Sequence, residues 1–279
     1  MTTMLAAPLA VQHLDAIRAA LGAPSVNAAT ADTLEALSSD DVNKPRLISW
    51  LREGVAAEDS RFEIRSALRA VARAIQPRSY LEIGTRRGWS LAQVLAESPA
   101  VNAYAFDWWV EQYGGVENTG PGFVLDEMRR VAPAHRGAVH FLSGNSHDTL
   151  PVFFQDVPLD ASECEQSDLI RIGEAAPSKF DLVTVDGDHT ALGTWWDLVD
   201  VVPHIAVGGV LVIDDLVDSA DELLGDRASS RYEAIRTKPD DLKPSLLGLW
   251  HLLKEQLPDW EFIESFDSIV PIGLAVRLR

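Results

Sequence analysis

The sequence has one cysteine, Cys164, in 279 residues. A disulfide framework and a cysteine-based zinc site are therefore both excluded within one chain. Positive charge is also scarce: 24 Lys and Arg stand against 42 Asp and Glu, a formal charge of −18. Long-range repulsion from so acidic a chain argues against nucleic-acid backbones and anionic membranes as partners. No apolar run reaches the length of a membrane span, and no basic leader precedes a long apolar stretch at the N-terminus, so a cytoplasmic protein is expected. Gly-Lys-Ser/Thr is missing, which removes a P-loop. Gly-x-Gly-x-x-Gly is missing from the strand-to-helix turn described below, which makes a nicotinamide oxidoreductase the least favoured enzyme class.

Hydrophobic residues make up 47% of the chain, enough for a sizeable core. The pattern predicts one α/β domain over residues 61–279, preceded by a helical extension over 1–60 with breaks at Gly22-Ala23-Pro24 and Asn43-Lys44-Pro45. The extension reads as packing, or as a lid or dimerisation arm. The helix at about Arg61 to Ile75 sets Ile64, Leu68, Val71 and Ile75 on one face, and Arg61, Arg65, Arg69 and Arg73 on another, which reads as a solvated charged face.

The organising stretch is Ser79 to Ser90. A buried strand, Tyr80 to Ile83, contains Glu82 and breaks into a turn with Gly84 and Gly88 before a helix through Leu91–Leu95. Glycines there let the backbone approach a ligand closely, and the amides opening the helix can face polar ligand groups. The second strand, Val101–Phe106, is closed by Asp107, about where α/β nucleotide sites hold ribose hydroxyls. Trp108 and Trp109 wall an adenosine pocket or belong to the core. A loop is expected over Glu111–Gly122, a helix over Phe123–Val131 and a third strand over Ala138–Leu142, running into Ser143-Gly144-Asn145-Ser146. His147 reads as a surface or helix-start histidine, and Gln155–Ser178 as a surface insertion.

Carboxylates gather at two further strand ends. The fourth strand, Phe180–Val185, ends in Asp186-Gly187-Asp188-His189. A helix follows, and Gly208-Gly209 introduces a fifth strand, Val210–Ile213, ending in Asp214-Asp215. Neighbouring parallel strands would bring these ends about 5 Å apart, at the edge where α/β ligands sit. With no lysine or arginine partner evident, Asp186, Asp214 and Asp215 would repel one another unless a cation or protons intervened, and a hard divalent ion such as Mg2+ fits an oxygen donor set. The bland alternative is that Asp214 or Asp215 merely caps a following helix.

The acid-and-glycine turn resembles the first motif of class I S-adenosylmethionine-dependent methyltransferases. Asp-Gly-Asp-His on one strand with Gly-Gly-x-x-x-x-Asp-Asp on the next resembles their metal-dependent small-molecule O-methyltransferases, the macrocin type in particular. The resemblance covers about Tyr80 to Asp215. It implies a Rossmann-like, doubly wound, seven-stranded sheet, with Trp260–Phe266 and Ile269–Leu278 as its closing antiparallel hairpin. It also implies that Glu82 and the Gly84–Gly88 loop bracket the methionine part of the cofactor, with Thr85 and Ser90 in the same turn. Gly144, Asn145 and Ser146 would lie at the adenine, Asp107 and Trp108 at the adenosine, and Asp186 beside the cofactor. His189 takes the place of the catalytic base, with Asp188 as runner-up. The acceptor would be a hydroxylated small molecule: a sugar, polyol or phenolic natural product. A homodimer is a mild expectation. A metal-independent N- or O-methyltransferase and a non-catalytic cofactor-binding protein are the alternatives.

Overall fold

The computed structural model describes residues 3–39, 41–110, 119–155, 177–218, 242–243 and 245–279. Cys164, most of the expected 111–122 loop and the core of the 155–178 insertion lie outside the described residues.

Three helices form the extension: α1 (Thr3–Ala20), α2 (Pro24–Ala36) and α3 (Lys44–Ala57). Then come α4 (Ile64–Ile75), β1 (Ser79–Ile83), α5 (Trp89–Glu97), β2 (Asn102–Asp107), α6 (Gly120–Val131), β3 (Val139–Ser143) and α7 (Ser146–Phe153). β4 (Phe180–Val185), α8 (Ala191–Val201), β5 (Ile205–Ile213), α9 (Leu246–Gln256), β6 (Trp260–Ser265) and β7 (Ile272–Arg277) complete the chain. Pro121, in the first turn of α6, starts that helix inside the stretch expected to be loop. α4 begins at Ile64, not Arg61, because Glu63 caps it: its carboxylate accepts the Ser66 amide while the Ser66 hydroxyl accepts the Glu63 amide.

The strands form one seven-stranded sheet in the order β3-β2-β1-β4-β5-β7-β6. β1 to β5 pair in parallel and β7 is antiparallel to both its neighbours, which gives the expected closing hairpin. Alternate strand residues face opposite sides. Tyr80, Ala105, Leu182, Val212 and Leu274 pack toward the core shared with α1, α2, α4 and α5. Leu81, Phe106, Val183, Leu211 and Ala275 pack toward the core shared with α7, α8 and α9. Helices thus cover both faces, as buried parallel strands require.

β5 starts before the glycine pair expected to introduce it. Gly208 has φ +82°, and a Cβ on Gly209 would lie 3.0 Å from the Phe180 carbonyl oxygen. The pair forms an irregularity inside the strand, where the register with β4 shifts between Phe180 and Leu182.

The arginine row of α4 is not a solvated face. Arg69 is 4% exposed and reaches three partners: Nε donates to Gln93 (2.8 Å), Nη1 to Glu97 (2.8 Å) and Nη2 to Thr33 (2.6 Å). Arg73 shares Glu97, and Arg61 pairs with Asp59 and lies over the Trp50 ring. Helices α2 and α5 flank this side of α4, and the period-four spacing alone could not reveal them.

Candidate active site

The strand ends are level. Ile83 pairs with Phe106 and with Val185, and Val185 with Ile213, so the residues that follow each strand meet at one edge of the sheet. A cavity of about 1350 Å³ opens there. Thr85, Ser90, Asp107, Trp108, Asn145 and Ser146 line it, as do Gly84 and Gly144. The acidic group lines the same cavity: Asp186, Asp188, His189, Asp214 and Asp215. Glu82 and Gly88 are not on the wall.

Gly84 explains how the β1 and β4 turns come together. Its φ is +89°, and a Cβ there would lie 2.0 Å from the Asp186 carbonyl oxygen. Only glycine allows that approach. Gly88, at φ +74°, turns toward α6, where a Cβ would stand 2.7 Å from Val124. Glu82 lies beneath the turn, 1% exposed. Its Oε1 accepts the Tyr80 hydroxyl at 3.0 Å, while Oε2 has no hydrogen-bond partner among the described residues. Burial pushes the Glu82 carboxyl up to about 8.

Asp107 already holds the surrounding backbone. Its two oxygens accept the amides of Arg86 (2.6 Å) and Trp109 (2.5 Å), and burial raises its pKa against the pull of those amides. A carboxylate has lone pairs beyond these two, so ribose hydroxyls can still be accepted. Asn145 caps α7, its side chain accepting the His147 amide at 3.1 Å. His147 is at the helix start as expected but not at the surface: it is 5% exposed, with Nε2 3.1 Å from the Gly193 carbonyl.

Asp188 accepts the Thr190 amide at 2.9 Å, and Thr190 caps α8 through the Gly193 amide. His189 Nδ1 pairs with Asp215 Oδ2. Burial alone would lower the His189 pKa, but Asp215, then Asp186, carry it up to about 9. Burial also works against ionised Asp215, yet its bond to His189 takes it below the usual range; burial raises Asp186 and Asp214.

Among the described residues, ligand atoms of Asp186, His189 and Asp215 lie within 4.8 Å of one another, and Asp214 is not of that group. Asp214 is 7% exposed, and its Oδ1 has no hydrogen-bond partner among the described residues. The three acids do have a basic neighbour: Arg65, which lines the cavity and favours the charged form of each. Sequence reasoning missed Arg65, because it lies on α4, outside every motif at the strand ends. It also missed Asp41, Asn43, Arg46 and Leu47, which line the cavity from the extension.

A doubly wound seven-stranded sheet with β7 antiparallel, and a glycine turn beside a large cavity at its carboxyl edge, is the class I methyltransferase arrangement. Residues 81–216 match a family model described as a methyltransferase domain. The chain thus carries a methyltransferase domain over residues 81–216, in a sheet of class I topology. Comparison with curated proteins gives no match. Among solved structures, the chain is similar to the O-methyltransferase TomG from Streptomyces achromogenes, involved in tomaymycin synthesis, in complex with S-adenosylmethionine. Identity there is 19%, over 86% of this chain and 91% of that one, with a TM-score of 0.45. An O-methyltransferase from Bacillus cereus, in complex with S-adenosylhomocysteine, is 15% identical over 87% and 94% at a TM-score of 0.45. A Podospora anserina methyltransferase bound to S-adenosylhomocysteine is 13% identical over 89% and 87% at 0.47.

Proposed function

We propose that this methyltransferase transfers its methyl group to a hydroxyl of a small sugar, polyol or phenolic molecule, assisted by a divalent cation. The observation that carries the reading is the convergence of Asp186, His189 and Asp215 within 4.8 Å in the cavity that the glycine turn opens into. The carboxylates of Asp186 and Asp215 fit a cation such as Mg2+ or Mn2+, with Asp214 in the same cavity as a further oxygen donor, and His189 is left beside them as a base. When bound, such a cation lowers the pKa of a coordinated hydroxyl.

The chain's own residues divide the remaining work. Thr85, Ser90 and the Gly84 turn receive the methionine part of the cofactor, with Glu82 beneath them. Asp107 accepts the ribose hydroxyls, and Trp108, Gly144, Asn145 and Ser146 border the adenosine. Methyl transfer from a sulfonium is an in-line displacement, so the acceptor oxygen must be held opposite the leaving sulfur and stripped of its proton. His189 is the base for that proton once its own proton has left, and Asp188 is the alternative. The extension supplies a wall: the Trp89 indole donates to Ser39 Oγ at 2.8 Å, and the Ser38 hydroxyl donates to Glu127 at 2.8 Å. This favours a cover over the cofactor cleft above a dimerisation arm.

A metal-independent enzyme is the second reading, favoured by the closed His189–Asp215 pair. Calorimetric titration of S-adenosylhomocysteine, with Mg2+ and then with a chelator, tests both. Micromolar binding that is lost in Asp107→Ala supports the cofactor site, and hydroxylated acceptors are then assayed with and without the cation. Turnover that survives the chelator unchanged would favour the second reading.

A further inference from the structure

Arg65 lines the same cavity as the acidic group but lies outside the span that matches the methyltransferase family. It is held there by a fixed scaffold. Its Nη1 donates to Glu63 Oε2 at 3.0 Å, while Glu63 Oε1 is committed to the Ser66 amide at 2.9 Å in the cap of α4. On another side, its guanidinium lies 5.7 Å from the centre of the Trp89 ring. Its Nε is buried and without a hydrogen-bond partner among the described residues. One carboxylate, Glu63, therefore holds Arg65 directly, and three others, Asp186, Asp214 and Asp215, feel its charge across the cavity.

We propose that Arg65 is a tethered competitor of the divalent cation, a positioning residue whose fixed charge balances the acidic group and weakens cation binding to it. This rests on the reading of Asp186, Asp214 and Asp215 as cation ligands. The physical argument is direct. Arginine stays charged at any working pH, so it cannot yield to an incoming ion by losing a proton. Capped Glu63 and the Trp89 ring restrain it from swinging away. Replacing it with a neutral side chain removes a repulsive charge from beside the cation position and leaves Glu63 uncompensated as well, so both changes act in the same direction. A unit charge a few ångströms from a divalent ion is worth about tenfold in affinity even at the dielectric of water.

The test is calorimetric titration of Mn2+ alone, without cofactor or acceptor, into the full chain and its Arg65→Met, Arg65→Gln and Arg65→Lys variants. Thermal melts first establish that each variant folds. The expected result is Mn2+ binding tightened at least about tenfold in the two neutral variants and left within about threefold of the parent in Arg65→Lys. Should Met fail to fold, Gln carries the comparison. Neutral variants that bind Mn2+ no tighter than the parent would overturn the role given to Arg65 while leaving the cation site standing. Absence of Mn2+ binding in every variant would overturn the cation site itself, and the competitor with it.

Discussion

Glu82 offers the sharpest test of how the cofactor turn is built. Its carboxyl is carried from an ordinary 4.5 to about 8, chiefly by burial, so the folded protein holds a proton there that the unfolded chain has released above pH 4.5. The sign follows from linkage: between these two values the native state binds more protons than the unfolded state, so this group makes stability fall as pH rises. Its penalty is absent below about pH 4.5 and complete above about pH 8. A displacement of that size corresponds to at most about 5 kcal/mol, and relaxation or water entry will leave on the order of 2–3 kcal/mol. Glu82→Gln keeps an acceptor for the Tyr80 hydroxyl but cannot ionise. Denaturant unfolding at intervals from pH 5.5 to pH 9 should show the variant gaining on the parent as pH rises, with a difference of about 2 kcal/mol or more at the alkaline end. Two curves running parallel over the whole range would refute the claim that Glu82 is buried and protonated. Cofactor binding gives an independent readout: a ligand ammonium near Glu82 favours the ionised form, so S-adenosylhomocysteine should release protons from the parent at pH 7 and fewer from the variant, measured by calorimetry in buffers of different ionisation enthalpy.

Three further outcomes are expected. Gly84→Ala places a Cβ against the Asp186 carbonyl at a φ only glycine tolerates, so it should cost about 3 kcal/mol or more and lower S-adenosylhomocysteine affinity, read by melting and titration. Arg69→Leu leaves Glu97 and Gln93 without their shared donor inside the α2–α4–α5 packing, and should lower stability by about 3–5 kcal/mol in denaturant unfolding while S-adenosylhomocysteine binding per folded molecule stays unchanged. Trp250→Ala empties a fully buried position, removes the indole bond to Glu264 (2.6 Å) and exposes Gly273, whose hypothetical Cβ would sit 2.5 Å from the ring; a loss of about 3–5 kcal/mol in the same assay is expected.

Strand existence, strand order along the chain and the acids that end each strand were legible because they are local: apolar β-branched runs, period-3.6 helices and glycine turns carry their own geometry. The span Tyr80–Ile83, the acid after Phe106 and the two acidic strand ends follow from neighbours in sequence alone. What tertiary structure decided is which charge meets which. The arginines of α4 repeat every fourth residue whether the face is wet or covered, and only the packing of α2 and α5 buries Arg69 and turns Arg65 into the cavity. Likewise His189 before α8 and Asp215 after β5 are separate motifs in the chain, and the level ends of β4 and β5 bring the two side chains together. Coulomb energy and desolvation depend on distances through space and on the medium between charges, neither of which is encoded by spacing along the chain.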